Sequence, residues 1–267
     1  MHGRAQGARV APQAVPPTGP TASSVAGMQI VTVVAPVFAA RCSVLVGDDG
    51  ACVVVDPGAG AGRQVRALVA ERGLRPRAVL ITHGHADHTW DAPLLARELD
   101  VPVLLHAGDA YRLDDPFGTL GVLDPRRDPA GPLALALRAA GVDLDSWIPP
   151  ARVEPFGGSG AGRTGDVELD LGGLRVVARH APGHTEGSTL YLVDAGDPDP
   201  VVLAGDVLFA GSIGRTDLPG GDDDAMAATL RDVVATLPPG SRVLPGHGPA
   251  TDVATELATN PHLARHR

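Results

Sequence analysis

The sequence contains no lysine. Its 22 basic residues are all arginine, and they face 31 acidic residues, giving a formal charge of −9 at pH 7. That sign is wrong for gripping a phosphate backbone, so nucleic acid is not an expected partner. Cysteine is nearly absent. Cys42 and Cys52 are too few for a disulfide framework and lie at or within apolar runs, the pattern of reduced, buried thiols in a cytoplasmic protein. No stretch approaches the roughly 20 consecutive apolar residues of a bilayer-spanning helix, so no membrane association is expected. Also missing is a G-x-S-x-G segment, which disfavours a serine triad. What remains is a chain of 267 residues, 44% hydrophobic, able to bury the core of one domain or two small ones.

Residues 1–27 mix Ala, Pro, Gly, Ser and Gln without periodicity and lack the apolar segment of a secretory signal, so they read as a disordered N-terminal extension. Met28 precedes the first strand-like run and is one candidate start; a longer presequence is the other reading. From there, short runs rich in Val and Ile predict strands at 29–35, 43–46, 52–55, 78–81 and 103–105, with helices over 62–72 and 90–99. The second half repeats the order, with strands at 167–171, 174–178, 189–193, 201–204 and 242–244 and a helix over 222–237. Strands apolar enough to be covered on both faces, twice followed by helices, predict an α/β protein built as a four-layer αββα sandwich. Residues 114–163, rich in Pro, Gly and Asp with one helical piece near 133–140, form either a functional lid or a poorly ordered loop.

The most informative stretch is Thr82-His83-Gly84-His85-Ala86-Asp87-His88, between a predicted buried strand and a helix. Four potential metal ligands occupy six positions there. Zinc and iron favour imidazole and carboxylate donors, and alternation puts His83 and His85 on one side of an extended segment, leaving Asp87 and His88 to face a second ion. Three more candidates follow strand runs: His184 in Ala-Pro-Gly-His-Thr, Asp206 at the end of Val-Val-Leu-Ala-Gly-Asp, and His247 in Pro-Gly-His-Gly-Pro. Singly, each is an ordinary turn residue; with the first cluster they read as one site. A carboxylate at the mouth of so apolar a strand as 201–205 requires a charge partner, and a metal would serve. His2, His106, His180, His262 and His266 match no ligand position, although His180 lies only four residues before His184.

These residues resemble the metallo-β-lactamase superfamily, in which an H-x-H-x-D-H motif, a later His, a bridging Asp and a final His bind two metals. The resemblance spans about residues 29–263. Within it, Gly211-Ser-Ile-Gly-Arg-Thr-Asp-Leu-Pro-Gly-Gly221, the Pro-Gly-His-Gly-Pro stretch and Asn260-Pro-His-Leu263 look like the small glyoxalase II-like hydrolases. The resemblance implies one hydrolase domain over 28–267 with two divalent ions per chain, zinc first and iron or manganese as alternatives. It assigns His83, His85 and His184 to one ion, Asp87, His88 and His247 to the other, and Asp206 to both. Asp56, Thr82 and Arg215 match positions that support the ligand loops, against the plainer readings of a turn residue for Asp56 and a surface charge for Arg215.

Two ions sharing a water would lower its pKa towards neutrality, with Asp87 orienting it as the catalytic carboxylate. A thioester suits that chemistry, because a departing thiolate needs no strong acid. The expected substrate is therefore an S-hydroxyacyl thioester such as S-lactoylglutathione or its counterpart on another small thiol. The chain ends a few residues after Leu263 and has no lysine, so the basic glutathione contacts of longer glyoxalase II enzymes cannot be carried over; Arg112, Arg215 or a group in the 114–163 loop is the alternative source of such contacts. The alternatives are a persulfide dioxygenase, which keeps a similar loop around a single iron, and a non-catalytic metal-binding protein.

Overall fold

The structure is a computed structural model that describes residues 20–25, 27–158, 165–193 and 199–263. Seven strands form the first sheet: β1 (Thr21–Val25), β2 (Met28–Val34), β3 (Arg41–Gly47), β4 (Ala51–Val55), β5 (Arg75–Leu80), β6 (Val103–His106) and β7 (Val153–Phe156). Their spatial order follows the chain, antiparallel from β1 to β4 and parallel from β4 to β7. The second half supplies β8 (Asp166–Asp170), β9 (Arg175–His180), β10 (Thr189–Val193), β11 (Val201–Gly205), a small ribbon of β12 (Leu208–Phe209) and β13 (Ser212–Ile213), then β14 (Arg242–Pro245) and β15 (Thr251–Asp252). The second sheet runs β15-β14-β11-β10-β9-β8.

Side-chain alternation explains the layers. Along β3 and β4, Cys42, Val44, Cys52 and Val54 point outward under α1 (Gly62–Arg72) and α3 (Ala92–Leu99), while Leu45, Val53 and Val55 point inward to Val176, Tyr191 and Leu203 of the other sheet. Because both faces are buried, these strands read as continuous apolar runs. On the far side, Met226 and Leu230 of α5 (Asp223–Asp232) and Val253 of α6 (Val253–Thr259) cover the second sheet. The arrangement is the αββα sandwich that the strand pattern implies.

Three expectations are corrected. Residues 21–25, expected to be disordered with the rest of 1–27, form β1, paired with β2 along five residues; residues 1–19 and 26 lie outside the described residues. The 114–163 segment is not a poorly ordered loop where it is described: it provides α4 (Pro132–Ala139) and the edge strand β7, and Leu137 of α4 packs with Phe117 and Leu120 beside Ala86. Residues 159–163 lie outside the described residues. The helix expected over 90–99 is α3, which begins two residues later, after the separate short helix α2 (Ala86–Thr89), since Asp91 turns its carboxylate to the Gly60 and Gly62 amides and Pro93 opens the new helix.

Strand direction places the candidate residues. β10 is antiparallel to both β9 and β11, and β14 is parallel to β11, so β9, β11 and β14 all end at the same edge. Their C-terminal ends deliver the 181–188 loop, Asp206 and His247. In the first sheet, parallel β4 and β5 end side by side, bringing Asp56 against residues 82–88; the Asp56 amide donates to the Leu80 carbonyl at 3.0 Å. Ligand-binding groups gather at such strand ends in layered α/β folds.

Candidate metal centre

The seven residues singled out in the sequence meet. Donor atoms of His83, His85 and His184 lie within 4.8 Å of one another, as do those of Asp87, His88 and His247, and those of His83, His88 and Asp206. Asp206 stands between the first two groups: its carboxylate is 3.7 Å from His184 Nε2, 3.4 Å from His88 Nε2 and 3.5 Å from His247 Nε2. Asp87 Oδ2 lies 3.3 Å from His247 Nε2. Two pairs of ring nitrogens face each other directly, His85 Nδ1 with His184 Nε2 at 2.9 Å and His88 Nε2 with His247 Nε2 at 3.1 Å. Gly246 permits this crowding, because a Cβ there would strike Asp206 Oδ1 and the His88 ring.

The outward ring atoms have partners that settle the tautomers. His184 Nδ1 donates to the Arg215 carbonyl at 2.7 Å, His247 Nδ1 to the Phe38 carbonyl at 2.9 Å, and His88 Nδ1 to Asp56 Oδ2 at 3.1 Å. The Thr82 hydroxyl gives its proton to Asp56 Oδ2 at 2.6 Å and so accepts from His83 Nδ1 at 3.1 Å. Each of these four rings thereby turns its Nε2 inward, the arrangement that orients a metal ligand. Asp56 also accepts from the Thr82 amide at 2.7 Å. Asp56 and Phe38 both hold left-handed backbone, with φ of 52° at each. Such strain in non-glycine residues persists only where surroundings over-determine it, and here both residues fix a histidine.

The donor set fits divalent cations. His83 Nε2, His85 Nε2 and Asp206 Oδ1 are buried with no hydrogen-bond partner among the described residues, unusual for polar atoms unless an ion completes them. Burial, reinforced by the neighbouring histidines, pushes His83 and His85 well below the ordinary imidazole pKa, so both are neutral donors. Burial disfavours a charged His88 and an ionised Asp87. Even so, Asp87, Asp206 and Asp56 hold His88 up at about 10, while His88 and His247 hold Asp87 well below the usual carboxylate range. Carboxylates that draw a proton so firmly onto an imidazole would hold a metal cation in the proton's place.

Asp56 and Thr82 thus tie the 82–88 segment together through hydrogen bonds to one another and to His83 and His88. Arg215 differs: its guanidinium forms a solvent-exposed ion pair with Asp217, and it holds His184 through its backbone carbonyl alone. A main-chain contact leaves no trace in residue type. His180 reaches no candidate ligand; its Nε2 donates to the Glu186 carbonyl at 2.8 Å and its ring stacks on His106 at 3.8 Å.

The sequence reading missed Asp109. This fully buried carboxylate accepts from the Gly84 amide (2.7 Å), the Thr185 hydroxyl (2.7 Å) and the Gly187 amide (2.8 Å), tying the His83–His85 segment to the His184 loop. Its neighbour Arg112, also buried, donates to Asp109 at 3.3 Å, to Glu186 at 2.6 Å and to the Pro219 carbonyl at 2.9 Å. Gly84 is required here, since a Cβ would lie 2.6 Å from Arg112 Cδ. A cavity of about 280 Å³ opens beside Asp87, His184 and Asp206, walled by Leu120, Leu123 and the first turn of α4.

The Metallo-beta-lactamase superfamily model matches residues 37–247. Among curated proteins, the chain is 36% identical over 229 residues to an uncharacterized protein of Mycobacterium tuberculosis, spanning 85% of this chain and 93% of that protein. It is 34% identical over 220 residues to the probable metallo-hydrolase YqgX of Bacillus subtilis, spanning 82% and 90%. Against the hydroxyacylglutathione hydrolase GloC of Haemophilus influenzae, identity is 28% over 226 residues, spanning 85% and 93%. Among solved structures, the B3 metallo-beta-lactamase BLEG-1 superposes with a TM-score of 0.68 at 29% identity, covering 87% of this chain and 98% of that one. TTHA1623 in a di-iron-bound form gives 0.64 at 32%, covering 86% and 98%.

Proposed function

The chain belongs to the metallo-β-lactamase superfamily, and from that premise we propose that it is a metal-dependent hydrolase of thioesters of small thiols. The observation that carries the hydrolase reading is the convergence of seven donors into two adjoining groups with Asp206 between them. We assign His83, His85 and His184 to one divalent ion, Asp87, His88 and His247 to a second, and Asp206 to both. Zinc is our first choice of metal; the di-iron form of TTHA1623 keeps iron in view. The thioester is supported by the Gly211–Gly221 and Asn260–Leu263 segments and by the likeness to GloC.

Bound in these groups, divalent ions supply Lewis acidity, lowering the pKa of a water and polarising a carbonyl oxygen. The chain's own part is to aim the ligands and the water. Asp87 Oδ2, at the edge of the cavity and 3.3 Å from His247 Nε2, is placed to accept a hydrogen bond from the attacking water and align it. Asp56, Thr82 and the Phe38 and Arg215 carbonyls keep the rings from rotating. No general acid for the leaving group is needed, since a thiolate departs unaided near its pKa of about 8.5. The two cysteines, buried and unpaired, fit a reducing compartment such as the cytoplasm.

The test is turnover of a thioester panel, S-lactoylglutathione included, by protein of measured metal content under anaerobic conditions. Hydrolysis with two ions per chain is expected. One iron per chain with oxygen uptake on a persulfide would instead establish dioxygenation, and tight metal binding without turnover of any substrate would leave a metal-binding protein.

A further inference from the structure

The cavity beside the metal centre carries more than a place for substrate, because its wall is chemically one-sided. Phe38, Leu120, Leu123, Leu133 and Leu218 line it. Besides the candidate ligands, its ionisable lining residues are Asp128 and Arg215. Arg215 is committed to Asp217 through two hydrogen bonds of 2.6 and 2.8 Å. Arg112 lies outside this lining; it is buried and ion-paired with Asp109 and Glu186, although its Nη1 has no hydrogen-bond partner among the described residues. The wall therefore offers a carboxylate ligand no unpaired cation, and Asp128 adds repulsion. Lysine, which elsewhere could reach in from the rim, is absent from the chain.

The mouth is apolar as well. Phe38 and Leu123, both lining the cavity, are 45% and 39% exposed. Large apolar side chains left open around a reactive centre are the kind of surface that an apolar ligand covers. The volume of about 280 Å³ lies at the small end of ligand sites, enough for a short aliphatic group but not for a whole peptide thiol beside it.

Resting on the thioester reading above, we propose that the substrate is a thioester with a short, apolar acyl chain on an uncharged thiol moiety, not an ester of a carboxylate-bearing peptide thiol. The acyl chain packs on Leu120, Leu123 and Leu133, so residues 120–134 are the specificity element of the site.

Two non-hydrolysable thioethers test this without depending on turnover: S-hexyl-N-acetylcysteamine and S-hexylglutathione share the alkyl chain and differ in the charged peptide. Calorimetric titration of the metal-loaded protein should show the neutral thioether binding at least about tenfold more tightly. Leu133→Asp should remove most of that affinity with metal content unchanged, while Leu135→Asp, outside the cavity lining, should not alter it. Should Leu133→Asp fail to fold, Leu123→Asp at the more exposed rim serves in its place. Equal or tighter binding of the glutathione thioether overturns the proposal, as does an affinity indifferent to both cavity substitutions in folded protein. A preference for the neutral thioether combined with no hydrolysis of any thioester would sink the reaction assignment while leaving the apolar pocket standing.

Discussion

Asp56 and His88, 32 positions apart, are joined by a hydrogen bond of 3.1 Å between Oδ2 and Nδ1, and Asp56 holds a left-handed φ of 52° to make it. The same carboxylate receives both the amide and the hydroxyl of Thr82. Asp56→Ala should therefore lower metal affinity by about 10–100-fold, the usual range when a group orienting a ligand is lost. Elemental analysis after dialysis against a graded chelator reads this directly. Retention of both ions at wild-type affinity would show that the orientation of His88 does not depend on Asp56.

Direct removal of a donor should act more sharply. His85→Ala and Asp206→Ala are expected to abolish metal-dependent hydrolysis and to reduce the ions bound per chain, with far-UV circular dichroism unchanged. Either variant with wild-type turnover refutes the assignment of the site.

Asp109 makes a separate prediction, because it joins two ligand-bearing loops and faces a buried arginine. Asp109→Ala strands the Gly84 and Gly187 amides and leaves Arg112 only Glu186 as a carboxylate partner, so a loss of about 3 kcal/mol is expected in urea unfolding. Asp109→Asn, which retains one acceptor oxygen, should lose less. Metal affinity should fall in the same order.

The stacked His106 and His180 rings give the chain a pH response distinct from that of the metal groups. Burial, and behind it the adjacent His180, pushes His106 down to about 4. In the unfolded chain it titrates near 6.5, so between those values the unfolded state holds more protons, and stability must fall as pH drops from about 6.5 towards 4. Below 4 this contribution levels off. His106→Asn, whose side-chain oxygen can still accept from the Gly108 amide, should flatten that part of the stability profile relative to wild type. Parallel profiles would show that His106 titrates alike in both states.

A chain beginning at Met28 loses β1 and exposes the edge of β2. We expect turnover within about twofold, since the donors follow the ends of other strands, but a lower melting temperature and more self-association, the usual consequence of uncovering a strand edge. An unchanged melting temperature would mean that β1 adds no stability.

The layers, most strand positions and all seven candidate donors were legible in the sequence, because each depends on local pattern. Short continuous runs of Val and Ile specify strands buried on both faces, and H-x-H-x-D-H or Pro-Gly-His concentrates donors within one turn. Tertiary structure alone decided what those donors lean on. Asp109 has no neighbours in sequence that mark it; its role exists only because folding brings Gly84 and Gly187, 25 and 78 positions away, to one carboxylate. Arg215 carries a conspicuous side chain, yet its peptide carbonyl makes the contact with His184, and any residue type supplies a carbonyl. The Pro- and Gly-rich insertion showed the helical piece near 133–140 and left a lid or a loose loop open, but not which surface α4 would cover, since that is set by what the helix packs against. Local periodicity encodes elements and reactive groups; long-range contacts choose the hydrogen-bond partners that give those groups their direction.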